Sequence, residues 1–477
     1  MITDFGSHAP DRTEGACVLL MGEMIMENFF HLKERGTDVR TECIAGLTTF
    51  MTMAYILAVN PSILGDCGMD RGAVFTATAL ASAIASVCMA LFANLPFVLS
   101  AGMGLNAYFA YSVVIGMGYS WNVALAAVFT EGLVFVVLSL TNIREAIFNA
   151  IPGTLKVAVS VGIGLFICII GLKNSNVVVD SSTLIGLISF SGCVADGTMS
   201  SMGISALLSL IGILITAVLV IKNVRGNILL GILLTWLLGI LCQLAGLYVP
   251  NPELGFYSVI PSGIISLPQS MAPTFLKMSL DGVKVLDFVV VVFAFLFVDI
   301  FDTLGTLIGC ATKADMLQED GSLPGIRGAL MADSVGTIVG ACCGTSTITT
   351  FVESSAGIAE GGRTGLTSVV AGGFFLLSLL FSPVFLTIPS FATTPALVIV
   401  GFMMMQQVGR LSWDNVLEGI PAFICICAMP FTSSISEGIA FGIISWTVLH
   451  VACGKAKELT PLMYVLSVLF VLKYIFL

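Results

Sequence analysis

Charge is scarce in this chain of 477 residues: Asp, Glu, Lys and Arg together make up 10% of it. A soluble globular protein carries about 25%. With 57% hydrophobic residues, the shortage excludes a water-soluble fold and predicts a polytopic membrane protein. Histidine is scarcer still. The three (His8, His31, His450) sit in the tails or at a helix end, so neither a histidine proton relay nor a histidine metal centre is expected. The 13 cysteines form no Cys-x-x-Cys pair and no Cys/His metal spacing. They read as small hydrophobes, and neither a metal nor a cofactor is expected. The Gly-rich pieces GMGLN and EGGRTG lack the Gly-Lys-Ser/Thr of a phosphate loop, which argues against ATP-driven work by this chain alone. A Ser/His/Asp nucleophile constellation is missing too, so the chain does not read as an enzyme. A basic face for nucleic acid is also missing. The net charge of −10 reflects acidic tails and loops.

What the chain has instead is apolar runs long enough to cross a core about 30 Å thick. They predict an all-α protein with spans near 42–63, 72–95, 97–115, 121–140, 154–172, 203–222 and 227–249. A second set is predicted near 285–310, 326–343, 345–360, 365–387, 391–409, 414–431 and 433–453. An N-terminal segment 1–41, a linker 250–284 and a tail 454–477 flank these two halves. The apolar part of the tail, 461–477, is short for a crossing. Seven spans per half give the halves opposite orientation, the arrangement of inverted-repeat transporters. Charge bias supports this count. With the N-terminus cytoplasmic, 13 Lys and Arg fall inside, among them Arg40, Arg144, Arg225 and Arg363, against four outside (Arg71, Lys173, Lys277, Lys284). The linker then lies outside and the acidic loop from Lys313 to Arg327 inside. A faint echo links the halves: Ile151-Pro152 and Ile388-Pro389 each open a span, and Gly164 and Gly401 follow at the same distance.

Two spans in matching places are poor helices. Pro96–Tyr111 has Gly102 and Gly104 just before Asn106, and Gly340–Gly357 is rich in β-branched and small polar residues. Such backbone is tolerated at membrane depth only against a cavity or other protein. Interrupted spans in matching positions point to a midplane binding site. The candidate residues lie there. A carboxylate inside a span costs roughly 2.5–3.5 kcal/mol on insertion scales, which makes Asp302 and Glu353 candidates for substrate binding and proton coupling. Asn106 offers two donors and an acceptor beside the Gly-rich break. Asp299 shares a helix face with Asp302 and is expected to support it, together with Thr303. Glu131 ranks second among the carboxylates. Thr48, Thr49 and Thr52 read first as residues bonding back to their own helix, and Tyr55 as interior packing or the wall of a planar slot. No other titratable group is expected at depth.

The lead-in GTDVRTE, the first span AGLTTFMTMAYILAVNPSIL, GMGLNAYFAY, FVDIFDTLGTLIG and GTSTITTFVESSAGIAEGGRTGLTSVVAGG together resemble the AzgA-like purine permeases. These form the adenine/guanine/hypoxanthine branch of the nucleobase–cation symporters. The likeness runs from about Met26 to about residue 455 and leaves residues 1–25 and the apolar tail outside it. It implies the uracil-permease fold: 14 spans in two inverted repeats, with strand-like segments in spans 3 and 10. Spans 1–4 and 8–11 would form a core, and spans 5–7 and 12–14 a gate. The family's substrate-binding residues map onto Asn106, Asp302 and Glu353, and Thr52 is expected in support. The expected activity is import of purine bases across the cell membrane by proton symport with alternating access. A homodimer through the gate would be consistent with the fold. The alternatives are a different cargo on the same fold (uracil, xanthine or an anion), Na⁺ as coupling ion, or a non-transporting intramembrane enzyme or receptor.

Overall fold

A computed structural model describes residues 27, 29–140, 151–181, 184–251, 254–313, 316, 318 and 323–476. Most of the N-terminal segment, Arg144 and much of the acidic loop after Lys313 lie outside the described residues. Every predicted span is present as an element at its expected place. In the first half these are Val39–Asp66, Arg71–Ala93, a strand Leu99–Ala101 with the helix Met103–Gly116, Trp121–Leu140, Gly153–Asn174, Met199–Ile221 and Asn227–Leu244. In the second they are Val285–Lys313, Ile326–Cys343, a strand Ile348–Thr350 with the helix Ser354–Ala359, Gly365–Thr387, Ser390–Arg410, Val416–Thr432 and Ile435–Ala452. Among the described residues ten helices are long and apolar enough to cross a membrane. The elements are numbered below as spans 1–14.

Local chemistry sets several boundaries. The Asp38 carboxylate accepts from the Thr41 amide at 2.9 Å and starts span 1. Asp70 does the same for span 2 through Ala73 at 2.7 Å. Each satisfies a donor that a helix start leaves unpaired. Spans 5 and 12 begin after Pro152 and Pro389, whose rings cannot continue a helix backward but suit its first turn. Span 1 divides into Val39–Met53 and Ile56–Asp66. The Thr52 hydroxyl bonds back to Thr49 O at 2.8 Å and Thr48 O at 3.2 Å just before the division, a pattern that bends helices.

Packing sorts the spans into the two expected groups. Spans 2 and 9, 4 and 9, 2 and 11, and 1 and 11 pack on one another in the core. Spans 5 and 12, 5 and 13, 13 and 14, 6 and 7, and 6 and 12 pack in the gate. The echo between the halves has a structural meaning. A Cβ on Gly164 would lie 2.7 Å from Gly401 O, and one on Gly401 would lie 2.4 Å from Gly164 O. Spans 5 and 12 therefore cross backbone to backbone at these two glycines, the close approach that small residues permit in lipid.

The two strands pair antiparallel, Leu99 opposite Thr350, Ser100 opposite Thr349 and Ala101 opposite Ile348. Gly102 N donating to Thr347 O at 3.1 Å and Phe351 N to Val98 O at 3.0 Å extend the ladder. This pairing satisfies backbone groups that would otherwise lie unpaired at membrane depth. The tail forms the helix Pro461–Phe476. It packs on span 14 through Ser467 and Thr447, 2.7 Å apart, and on span 8 through Phe470 and Phe293.

Candidate functional site

Both broken spans turn from strand to helix beside the strand pair, so two helix starts face the middle of the bundle. Gly102 ends the first strand. A Cβ there would sit 2.6 Å from Thr349 Cγ2 on the opposing strand and 3.7 Å from Asp302 Oδ2. The absent side chain thus lets the strands meet and brings Asp302 of span 8 against their crossing.

Asp302, Gly305 and Thr306 share one face of span 8, at i, i+3 and i+4. Asp302 and Thr306 are half-buried, Gly305 is exposed, and a Cβ on Gly305 would meet nothing within 4 Å. Span 10 presents the exposed Val352 and the half-buried Glu353. Glu353 stands at the N-terminal boundary of the helix Ser354–Ala359, without a side-chain capping bond to it. Asp302 lies within electrostatic reach of both Glu353 and Asp333. The Tyr55 hydroxyl, at the division of span 1, donates to Glu353 Oε1 at 2.8 Å, and Tyr55 is 1% exposed. The accessible surface of the site is therefore a strip bearing two carboxylates, held from behind by a tyrosine.

Behind the strip the polar groups are sealed. Thr303 Oγ1 lies 2.9 Å from Asp299 Oδ1, 2.9 Å from Asp333 Oδ1 and 2.7 Å from Thr349 Oγ1. All four residues are buried. Glu131 of span 4 accepts from Thr347 Oγ1 at 2.8 Å. Asn106 is fully buried. Its carbonyl accepts from Ser346 and its amide donates to Ala101 O at 3.5 Å. The structure thus brings Asp302 and Glu353 together at the accessible surface. It places Asn106, Asp299 and Thr303 in the layer behind them, and Thr52 one turn before Tyr55.

The expectation that no other titratable group lies at depth is corrected. Asp333 of span 9 is fully buried in the same network. The signal was present: a lone carboxylate in an apolar span, followed by Ser334 and Thr337, is as costly there as Asp302 is in span 8. Tyr55, read first as packing, holds Glu353.

Chemically, the strip suits a small planar solute edged with N–H groups and ring nitrogens. An ionised carboxylate accepts from such donors and a protonated one can donate. Broken spans from two inverted halves meeting at an accessible carboxylate pair fit a membrane transporter. Residues 40–441 match the sequence profile of the permease family (Xan_ur_permease). The chain belongs to that family. It is similar to the guanine/hypoxanthine permease PbuG of Bacillus subtilis, 44% identical over 95% of this chain and 100% of that one. It is also similar to the adenine permease AdeP of Escherichia coli, 41% identical over 95% of this chain and 97% of that one. Among solved structures, the transmembrane domain of the cyanobacterial bicarbonate transporter BicA shares the fold, with a TM-score of 0.59 at 15% identity over 85% of this chain and 97% of the other.

Proposed function

We propose that this permease imports purine nucleobases (adenine, guanine or hypoxanthine) by proton symport with alternating access. The observation that carries this reading is the accessible pair Asp302 and Glu353 beside the strand crossing. A neutral base presents adjacent N–H donors to carboxylate oxygens, and bidentate acceptance favours it over a solute without them. Relatives named for adenine and for guanine/hypoxanthine at 41% and 44% identity support the cargo. The same carboxylates disfavour the anions carried by proteins that share only the fold, because like charges would meet in a weakly screened site.

Asp302 and Glu353 face the base. Asn106 contributes from behind through its bond to Ser346, and Asp299 and Thr303 support the floor of the site. Coupling follows if the loaded core crosses only after one carboxylate has taken up a proton, since moving an uncompensated charge through a low-dielectric seam is costly. The core then rocks against the gate around a fixed site.

The test is uptake of labelled adenine, guanine and hypoxanthine by cells lacking their own purine permeases. Wild-type protein is expected to accumulate at least one base against its gradient and to lose accumulation when the proton gradient is collapsed. Asp302→Asn and Glu353→Gln are each expected to lower uptake at least tenfold. Full gradient-driven accumulation in both variants would overturn the proposal. Accumulation that survives proton collapse and follows a sodium gradient would overturn the coupling ion alone.

A further inference from the structure

Tyr55 is the residue in this site whose chemistry the transport cycle has not yet used. It sits at the division between the two helices of span 1, is 1% exposed, and its hydroxyl donates to Glu353 Oε1 at 2.8 Å across a sequence separation of 298 residues. Packing alone asks only for an aromatic ring there, and phenylalanine would serve. A buried phenol needs a partner for its O–H, and the partner here is the carboxylate that faces the accessible strip.

We propose that Tyr55 is a positioning and specificity-determining residue that acts through Glu353, an inference that rests on the purine-transport reading above. The phenol can give one hydrogen to one carboxylate oxygen. With Oε1 engaged, rotation of the carboxylate is restricted and Oε2 is the oxygen presented to the solute. Tyr55 thus holds Glu353 as an acceptor of fixed direction, which selects bases that offer an N–H at that edge. A purine whose N–H has been replaced by N–CH₃ leaves Oε2 unmatched and is rejected, since a site built to accept a hydrogen bond discriminates strongly against a ligand that lacks it. The division of span 1 has a role in this arrangement: with Thr52 bonded back to Thr48 and Thr49 immediately before it, the bend brings a residue of span 1 to the start of the span 10 helix.

Tyr55→Phe removes the hydroxyl and keeps the ring, so it separates the two roles. Initial-rate uptake is measured against base concentration and normalised to the amount of protein in the membrane. The expected result is a KM raised about tenfold with Vmax within twofold of wild type, as for a lost hydrogen bond to a charged group. The margin by which the transported base is preferred over its N-methylated analogue should also narrow. Glu353→Asp, which leaves Tyr55 intact but withdraws the carboxylate by one methylene, is expected to raise KM similarly. Tyr55→Phe added to it should produce no further rise, because two changes acting on one contact are not additive. An unchanged KM and unchanged analogue margin in Tyr55→Phe would overturn the inference, as would a Vmax loss at constant KM, which is the signature of a merely structural role. Wild-type protein that transports no purine would defeat the functional reading itself. Wild-type transport with an unaffected Tyr55→Phe defeats only the role of Tyr55.

Discussion

Spans 3 and 10 occupy matching positions in the two halves, and each turns from strand to helix beside the other, yet they present opposite chemistry. Span 10 offers the half-buried Glu353, with the exposed Val352 beside it. Span 3 offers Asn106, fully buried and bonded to Ser346 of span 10. The first carries a charge at an accessible surface. The second carries a neutral amide that ties one broken span to the other. An inverted repeat supplies two equivalent frames, and in the function proposed above one faces solute and the other braces it. The residue types fit this division: a sealed amide can be satisfied by neutral partners alone, whereas a sealed ionised carboxylate demands charge compensation or a proton.

The largest effect should come from breaking the frame common to both. A side chain at Gly102 collides with Thr349 on the opposing strand, where even a Cβ would approach to 2.6 Å. Gly102→Val is expected to abolish uptake and to reduce the amount of protein in the membrane, measured by quantitative blotting of membrane fractions. Gly104 sits two residues further on, and a Cβ there would come within 2.9 Å of Ile163 Cγ2, a methyl of span 5 that lies outside the strand pair. Gly104→Ala should therefore be much milder, which distinguishes strand pairing from general crowding.

The next effect separates brace from face. Asn106→Ala leaves the Ser346 hydroxyl buried beside a void, a loss of about 1–3 kcal/mol. Its expected result is a lower midpoint of thermal unfolding in detergent and a lower Vmax, with the KM ranking of the purines unchanged. Glu353→Gln should do the reverse, leaving the midpoint within about 2 °C while destroying base binding. A KM effect confined to one purine in Asn106→Ala would place the amide against the solute and dissolve the contrast between the two spans.

Which of these features could be seen in the chain before it folded follows from how far each depends on tertiary pairing. The spans were legible because burial in lipid needs a run of apolar residues, whatever the neighbours. The two interruptions were legible because glycine and β-branched residues weaken a helix locally. Gly164 and Gly401 were legible as an echo, although their contact was not. Tyr55 with Glu353, Thr303 with Asp333, and Asn106 with Ser346 lie 298, 30 and 240 residues apart. Nothing local distinguishes a tyrosine that packs from one that holds a carboxylate. That depends on which helix faces meet, which a single sequence does not display. Asp333 is the exception, since its cost in an apolar span was as readable as that of Asp302.

The comparison between spans 3 and 10 extends to their ends, where each touches the gate on opposite sides of the bundle. Tyr111 of span 3 donates to Asp66 at 2.8 Å, and Asn174 at the end of span 5 reaches Asp66 at 3.1 Å and the Tyr111 hydroxyl at 2.6 Å. At the other end Glu360, just past the span 10 helix, pairs with Arg225 between spans 6 and 7 at 2.5 Å. The accessible face of span 8 runs from Asp302 toward Gly305 and Thr306, that is, toward the Glu360 end. Under the alternating access proposed above, the core must release one of these contacts as it moves. Asn174→Ala removes two hydrogen bonds that close the Tyr111 end. It is expected to lower, by about fivefold or more, the rate at which a polar thiol reagent labels Thr306→Cys in a protein lacking the native cysteines, each such bond contributing about 0.5–1.5 kcal/mol. Arg225→Ala is expected to raise that rate, and by less than Asn174→Ala lowers it, because Arg225 is largely exposed and an exposed ion pair contributes only about 0.2–1 kcal/mol. Shifts of the same sign in both variants would mean that the two ends do not oppose one another, and that spans 3 and 10 meet the gate without governing which side is open.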